Sequence, residues 1–242
     1  MNKAGKGGLV VVSRFDSNRL MGKALLDLGG KPLLARTFER LARCRWLTDC
    51  VLATSDREVD DPIATFAAFQ GIPVYRGSAR DVAGRCHAAA TLCGFDWFVR
   101  ICGDSPFIDP AVVDQVVETF QSDRPDIATN VHPRTFPVGC SAEAVDTTAM
   151  ARLLQETVDL GLREHVTAWF YQNDKTVRVV NVAAPDDRYR GSHIAVDWPK
   201  DLEMARWIVS RLASPSEATL DEIVALERQW RMENELEAVE AG

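Results

Sequence analysis

The feature that most constrains this chain is a repeated alternation. Short apolar runs that read as strands are each followed by a loop and then by a stretch with helical character. The first strand pattern is residues 9–12, Leu-Val-Val-Val, a β-branched run of the kind found in parallel strands covered on both faces. Strand patterns at 50–54, 73–75 and 97–101 then alternate with helix patterns at 32–41, 60–69, 82–92 and 110–120. Gly29-Gly30 marks a turn, and Pro32 stands near the first turn of its helix, where a missing N–H costs nothing. Strands separated by helices predict a parallel sheet with helices on both faces.

Beyond Asp126 the texture changes. Residues 127–129, 139–145 and 177–182 read as strands of a mixed sheet, with a helix at 163–171 between the last two. A final strand is expected at 193–196 and a helix at 201–212. Ser214-Pro215-Ser216 then breaks the chain before a charged, amphipathic helix at 220–239. The expected organisation is one α/β domain over 1–213, with halves at 8–125 and 126–213, and a helical tail at 214–242.

At 242 residues and 46% hydrophobic content the chain can bury the core of one large domain. A net charge of −7 argues against a general nucleic-acid binder, which carries a basic face. It leaves room for a local cationic cluster that binds a small anion. No apolar run approaches the length of a membrane span, and the opening MNKAGKGGLVVVSRF reads as a ragged terminus leading into a strand rather than as a signal peptide. Six scattered cysteines without a CxxC pair fit reduced thiols in a cytoplasmic protein and give no zinc pattern.

The loop at 13–23, Ser-Arg-Phe-Asp-Ser-Asn-Arg-Leu-Met-Gly-Lys, follows the first strand at its carboxyl end, where open α/β sheets bind ligands. Arg14, Arg19 and Lys23 suit a polyphosphate, whose charge must be neutralised as a bond to the leaving group breaks. A solvated basic loop would look the same. The loop matches neither GxGxxG nor GxxxxGK[ST]. Two aspartates follow later strand patterns: Asp104 in Arg-Ile-Cys-Gly-Asp-Ser-Pro and Asp197 in Ala-Val-Asp-Trp-Pro. Converging on one ion, they would serve Mg²⁺; singly, each could equally make a turn or a helix cap, although Asp109 and Asp201 are better placed for capping.

Taken in order, VVVSRFDSNRLMGKALLDLGGKPLL, VYRGSARDVAGR, RICGDSPFIDP, NVHPRTFPVG, REHVT and IAVDWPKDLEMAR resemble the CMP-sugar-acid synthetases. That family includes the ketodeoxyoctonate and acylneuraminate cytidylyltransferases, and the likeness is greatest to the spore-coat-polysaccharide-type branch. The resemblance covers roughly residues 9–212. It implies a nucleotide-diphospho-sugar transferase (GT-A-like) fold, a three-layer α/β sandwich with a mixed central sheet and a small β-rich acceptor and dimerisation subdomain. It implies transfer of CMP from CTP to an acidic, sugar-like acceptor, with Mg²⁺ and as a homodimer. On matching positions, Arg14, Arg19 and Lys23 would grip the triphosphate and Ser13 would line the cytosine pocket. Arg76, Ser78 and Asp81 would lie near base and ribose, with Arg85 facing the site. Asp104 and Asp197 would hold the metal, and Arg134, Glu164 and His165 would stand near the acceptor. Departures fall mainly on the acceptor side: Val138-Gly139-Cys140-Ser141 replaces a stretch that carries two carboxylates in relatives. A glycosyltransferase of related fold would use a nucleotide-sugar donor and needs an acidic pair where this chain has only Asp104; a nucleotide-binding protein without turnover is the other alternative.

Overall fold

The structure is a computed structural model and describes residues 5–240. Strands β1 (Gly7–Val12), β2 (Cys50–Ser55), β3 (Val74–Gly77) and β4 (Trp97–Cys102) run parallel, with helices α1 (Leu33–Leu41), α2 (Asp61–Phe69) and α3 (Val82–Leu92) as crossovers. After α4 (Pro110–Asp123) come β5 (Ile127–Thr129), β6 (Glu143–Asp146) and β7 (Val179–Asn181), which complete one seven-stranded sheet of order β3-β2-β1-β4-β6-β5-β7. Only β6 opposes its neighbours; β5 and β7 pair in parallel. The mixed strands expected beyond Asp126 are thus the far half of the same sheet. Helices α5 (Thr147–Glu156), α6 (Leu160–Glu164), α7 (Ala168–Gln172), α8 (Pro199–Arg211) and α9 (Leu220–Glu240) complete the chain.

Side-chain alternation along the strands divides the interior into two layers. Leu9, Val11, Leu52, Val99 and Ile101 pack under α1, α4, α8 and α9, whereas Val10, Val51, Phe98 and Val145 pack under α3, α5 and α7. Both faces of β1 are covered, so its apolar run is unbroken, as a doubly covered strand requires. Among the described residues no helix is long and apolar enough to cross a membrane.

Three local expectations change, and one helix is added. Residues 193–196 form no sheet strand: the segment is extended and makes a single parallel bridge from His193 to Val138. Its hydrogen bonds go instead to Val138 and Asp104, with Ile194 N donating to Val138 O at 2.8 Å and Val196 N to Asp104 O at 3.0 Å. The strand at 139–145 shortens to β6, because Asn130 already engages the stretch before it; its Nδ2 donates to Cys140 O and its Oδ1 accepts from Ala142 N. The helix at 163–171 divides into α6 and α7 at Val166, whose φ of 48° no helix accommodates. Helix α5 was not expected: it opens on two β-branched threonines directly after a strand, and the one signal for it is Asp146, whose side chain accepts from Thr148 N and Ala149 N.

Candidate active site

The carboxyl ends of β1 and β4 splay around a cleft of about 500 Å³. Its lining comes from the loop at 13–19, from Lys23, from Val82 and Arg85 on α3, from Arg100, Cys102 and Asp104 in and after β4, and from Glu164 and His165 after α6. The loop is held open by a buried anchor. Asp60, wholly buried before α2, accepts Phe15 N at 2.5 Å and the Ser55 hydroxyl, while Asp16 pairs with Arg57 at 2.7 Å. Gly103 permits the close approach of the β4 end to this loop: a Cβ there would come within 2.7 Å of Ser13 Cβ.

At the base of the cleft, Lys23 Nζ lies 2.8 Å from Asp104 Oδ2 and 3.0 Å from Asp197 Oδ1, and it also donates to Val196 O at 2.8 Å. Arg19 Nη2 reaches the same Asp197 oxygen at 2.5 Å, with its guanidinium 5.5 Å from the Trp198 ring. Asp197 joins the site through these two cations. Neither aspartate is spent as a helix cap. Asp109 caps α4 through Ala111 N and Val112 N, and Asp201 accepts Asp197 N and Trp198 N at the start of α8. Burial opposes charge on Lys23, but the two carboxylates outweigh it and hold the ammonium above its ordinary value. Burial likewise pushes Asp197 up, and Lys23 and Arg19 more than reverse this, so it titrates below the usual carboxylate range.

The remaining expected residues divide. Ser13, Arg14, Arg85, Glu164 and His165 line the cleft. Arg14 bridges its walls, donating to Ala79 O at 2.9 Å and approaching Glu164 at 3.7 Å. Arg76 does not reach it: its guanidinium is engaged on the outer edge by Ser55 O, Arg57 O and Asp61. Asp81 caps α3 through Gly84 N and pairs with Arg163 at 2.7 Å, while the Ser78 hydroxyl accepts Asp81 N. Arg134 lies in a separate depression with Tyr189, Arg190 and His193, donating to Pro137 O and the Ser141 hydroxyl.

A second charged network underlies the cleft and gave no spacing signal. Arg100, in mid-β4, donates to Glu143 Oε2 at 2.8 Å across the β4–β6 ladder, where the two residues are register partners. Glu143 Oε1 accepts from Thr167 Oγ1 at 2.7 Å and from the Tyr171 hydroxyl. An arginine inside an apolar strand was the one visible hint, because such a charge requires a buried partner.

Comparison with known proteins places this arrangement. The spore coat polysaccharide biosynthesis protein SpsF of Bacillus subtilis is 25% identical over 90% of this chain and 92% of its own. The 3-deoxy-manno-octulosonate cytidylyltransferase of Geobacter sulfurreducens is 31% identical over 108 residues, 45% of this chain and 42% of that protein. A solved cytidylyltransferase structure from Leptospira borgpetersenii superposes with a TM-score of 0.87 at 27% identity, covering 93% of this chain and 95% of that one. With the Cytidylyltransferase family model matching residues 9–239, the chain belongs to the cytidylyltransferases and is a nucleotidyltransferase enzyme.

Proposed function

We propose that the protein transfers CMP from CTP to an oxygen of an acidic, sugar-like acceptor with Mg²⁺, releasing pyrophosphate. The observation that carries this reading is the convergence of Asp104 and Asp197 on Lys23, at the foot of a cationic loop in the cleft. The donor chemistry fits Mg²⁺, which takes hard oxygens from one or two carboxylates together with substrate phosphates. Asp197 Oδ1 is used by Lys23 and Arg19, and Oδ2 has no protein donor among the described residues; Asp104 Oδ1 has only the Ser105 hydroxyl at 3.5 Å. Bound by these two residues, Mg²⁺ would supply a Lewis acid and a template for phosphate and acceptor oxygens.

The chain's own residues do the rest. Arg14, Arg19 and Lys23 neutralise and orient the triphosphate. The acceptor oxygen attacks the α-phosphorus in line, forming the new P–O bond as the bond to the β-phosphate oxygen breaks. Negative charge gathers on the departing pyrophosphate, where the fixed cations of the loop stabilise it. No protein nucleophile is needed, since positioning and electrostatics provide the catalysis. The acceptor class is supported by the likeness to a 3-deoxy-manno-octulosonate cytidylyltransferase.

The test is pyrophosphate release with Mg²⁺, each of four nucleoside triphosphates being paired with a panel of sugar acids. Release with CTP and one acid is the expected result. Binding of CTP with no release from any acid overturns the transfer reading.

A further inference from the structure

A second depression, of about 480 Å³, lies outside the cleft and collects cations in a chain of net charge −7. Strands β4, β5 and β7 point the same way, so the loops after β5 and β7, which wall the depression, open on the same edge of the sheet as the cleft. The order β4-β6-β5 sets β5 two strands from β4, about 10 Å along that edge. Both walls are fixed. The Thr135 hydroxyl accepts Ala184 N at 2.8 Å, which joins one loop to the other. The Tyr189 hydroxyl donates to Asp221 Oδ1 at 2.8 Å, which fastens the second loop to α9, and Phe136 stacks on Tyr189 with ring centres 5.8 Å apart.

The polar groups that line the depression are short of partners. Arg134 makes no salt bridge among the described residues; its Nη2 donates to the Ser141 hydroxyl at 3.0 Å, and its Nη1 reaches Pro137 O only at 3.3 Å. Burial holds its guanidinium below the ordinary arginine value, and Glu143, the carboxylate that acts on it most strongly, is already engaged by Arg100, Thr167 and Tyr171. The Ser192 hydroxyl, in a residue 5% exposed, is buried without a hydrogen-bond partner, and so is His193 Nε2, which stands 3.9 Å from Asp201. Arg190 is at the rim, where its closest carboxylate, Asp187, stays 3.8 Å away.

We propose that this depression is a separate anion site, which takes a phosphate-class oxyanion on Arg134 with His193 and Arg190 around it. Two guanidinium groups, an imidazole and a hydroxyl offer more donors than a carboxylate uses, and they suit the several strong acceptor oxygens of a phosphate. The planar fork of arginine pairs with such oxygens two at a time. Binding here requires neither CTP nor turnover, so it stands apart from the transfer proposed above. The phosphate arrives either on the acceptor, as a second anionic group, or as a free ion. The extended strip from His193 to Asp197 is about 13 Å long at most. An acceptor with its phosphate in the depression would span to the base of the cleft, whereas a free ion would act on the strip that positions Asp197.

The experiment is calorimetric titration of inorganic phosphate, at fixed ionic strength, into the wild-type protein, R134Q, R190Q and R19Q, each checked for native melting. Phosphate should bind the wild type, about tenfold or more weaker in R134Q and about twofold or more weaker in R190Q. R19Q, which alters the cleft, should leave this binding unchanged. Arg190 is exposed at the rim, so R190Q still decides should R134Q fail to fold. No binding to the wild type, or binding that neither R134Q nor R190Q weakens, overturns the proposal. So does binding that R19Q alone removes, which would assign the ion to the cleft. The source is read by supplying CTP, Mg²⁺ and sugar acids with or without a second phosphate group, with product followed by phosphorus NMR. A KM about tenfold lower for the phosphorylated acid, and raised in R190Q, places the group on the acceptor. Equal KM values, with kcat altered by added phosphate, assign a free ion. Absence of turnover with every acid would overturn the transfer reading, and the titration would still decide the anion site.

Discussion

A lysine ammonium within 3.0 Å of two carboxylates, and 7% exposed, does two things at once. It relieves the repulsion between Asp104 and Asp197, and it sets a cation at the base of the cleft. Its proton affinity is raised above the ordinary 10.5, so its contribution to stability is complete below that value and is lost as pH climbs through the folded one. Asp197 has the opposite sign. Held below 3.8, it contributes fully above that value and loses the contribution as pH falls through its folded one. The cluster's contribution to stability is therefore level between about pH 4 and about pH 10. Thermal melts of wild type and K23M across pH test this: the difference between them should be constant through that window and shrink outside it. K23M should also gain more melting temperature from Mg²⁺ than wild type does, since a cation restores what the substitution removes. For D104N, kcat should fall by about a hundredfold or more, with CTP affinity reduced far less. Stopped turnover assays read this directly, and retained turnover would remove Asp104 from the mechanism.

Between residue and fold lie the elements that aim these groups, and here Gly139 is decisive. Its φ is 102°, and a Cβ would come within 2.5 Å of Ala195 N and 2.7 Å of Ile194 C, both backbone atoms that cannot swing aside. The contact clamps the extended strip that delivers Asp197 against the segment after β5. G139A should cost about 3 kcal/mol through strain and collision together, a fall of about 10 °C in Tm by differential scanning calorimetry. A loss under 2 °C would mean the strip moves freely. This strip also shows where the sequence stops being readable. Strands β1, β2 and β4 are legible because doubly covered strands are continuous apolar runs, and Asp109 and Pro110 mark the start of α4. The extended segment at 193–196 has the same apolar look as a strand, yet its neighbours are loop residues that only the folded chain supplies. The loop cations and the two aspartates were legible as charged groups at strand ends, and the structure brings Arg19, Lys23, Asp104 and Asp197 together. The burial of Arg85, the outward turn of Arg76 and the Arg100–Glu143 pair were not legible, because each depends on partners far along the chain.

At the scale of the whole molecule, an amphipathic C-terminal helix can serve either a second copy or its own domain. Ile223 and Val224 are buried in the layer that α1, α4 and α8 share, and Trp230 is 8% exposed with the Lys200 ammonium 5.5 Å from its ring centre. The turn before the helix is fastened from within. Arg40, 1% exposed on α1, donates to Ile108 O at 2.6 Å and to Pro215 O and Ala218 O at 2.9 Å each. Glu227, equally buried, approaches the strip that carries Asp197 by accepting His193 N at 3.3 Å. The first half of α9 thus behaves as a cover for the sheet layer, bonded to the active-site half of the same chain. Two measurements on I223A separate the two roles. Truncating a fully buried isoleucine in a domain cover should cost about 2–4 kcal/mol whatever the protein concentration, and should leave the mass in solution by light scattering unchanged. If α9 were an arm between copies, the same substitution would lower the mass, and Tm would rise with protein concentration by mass action.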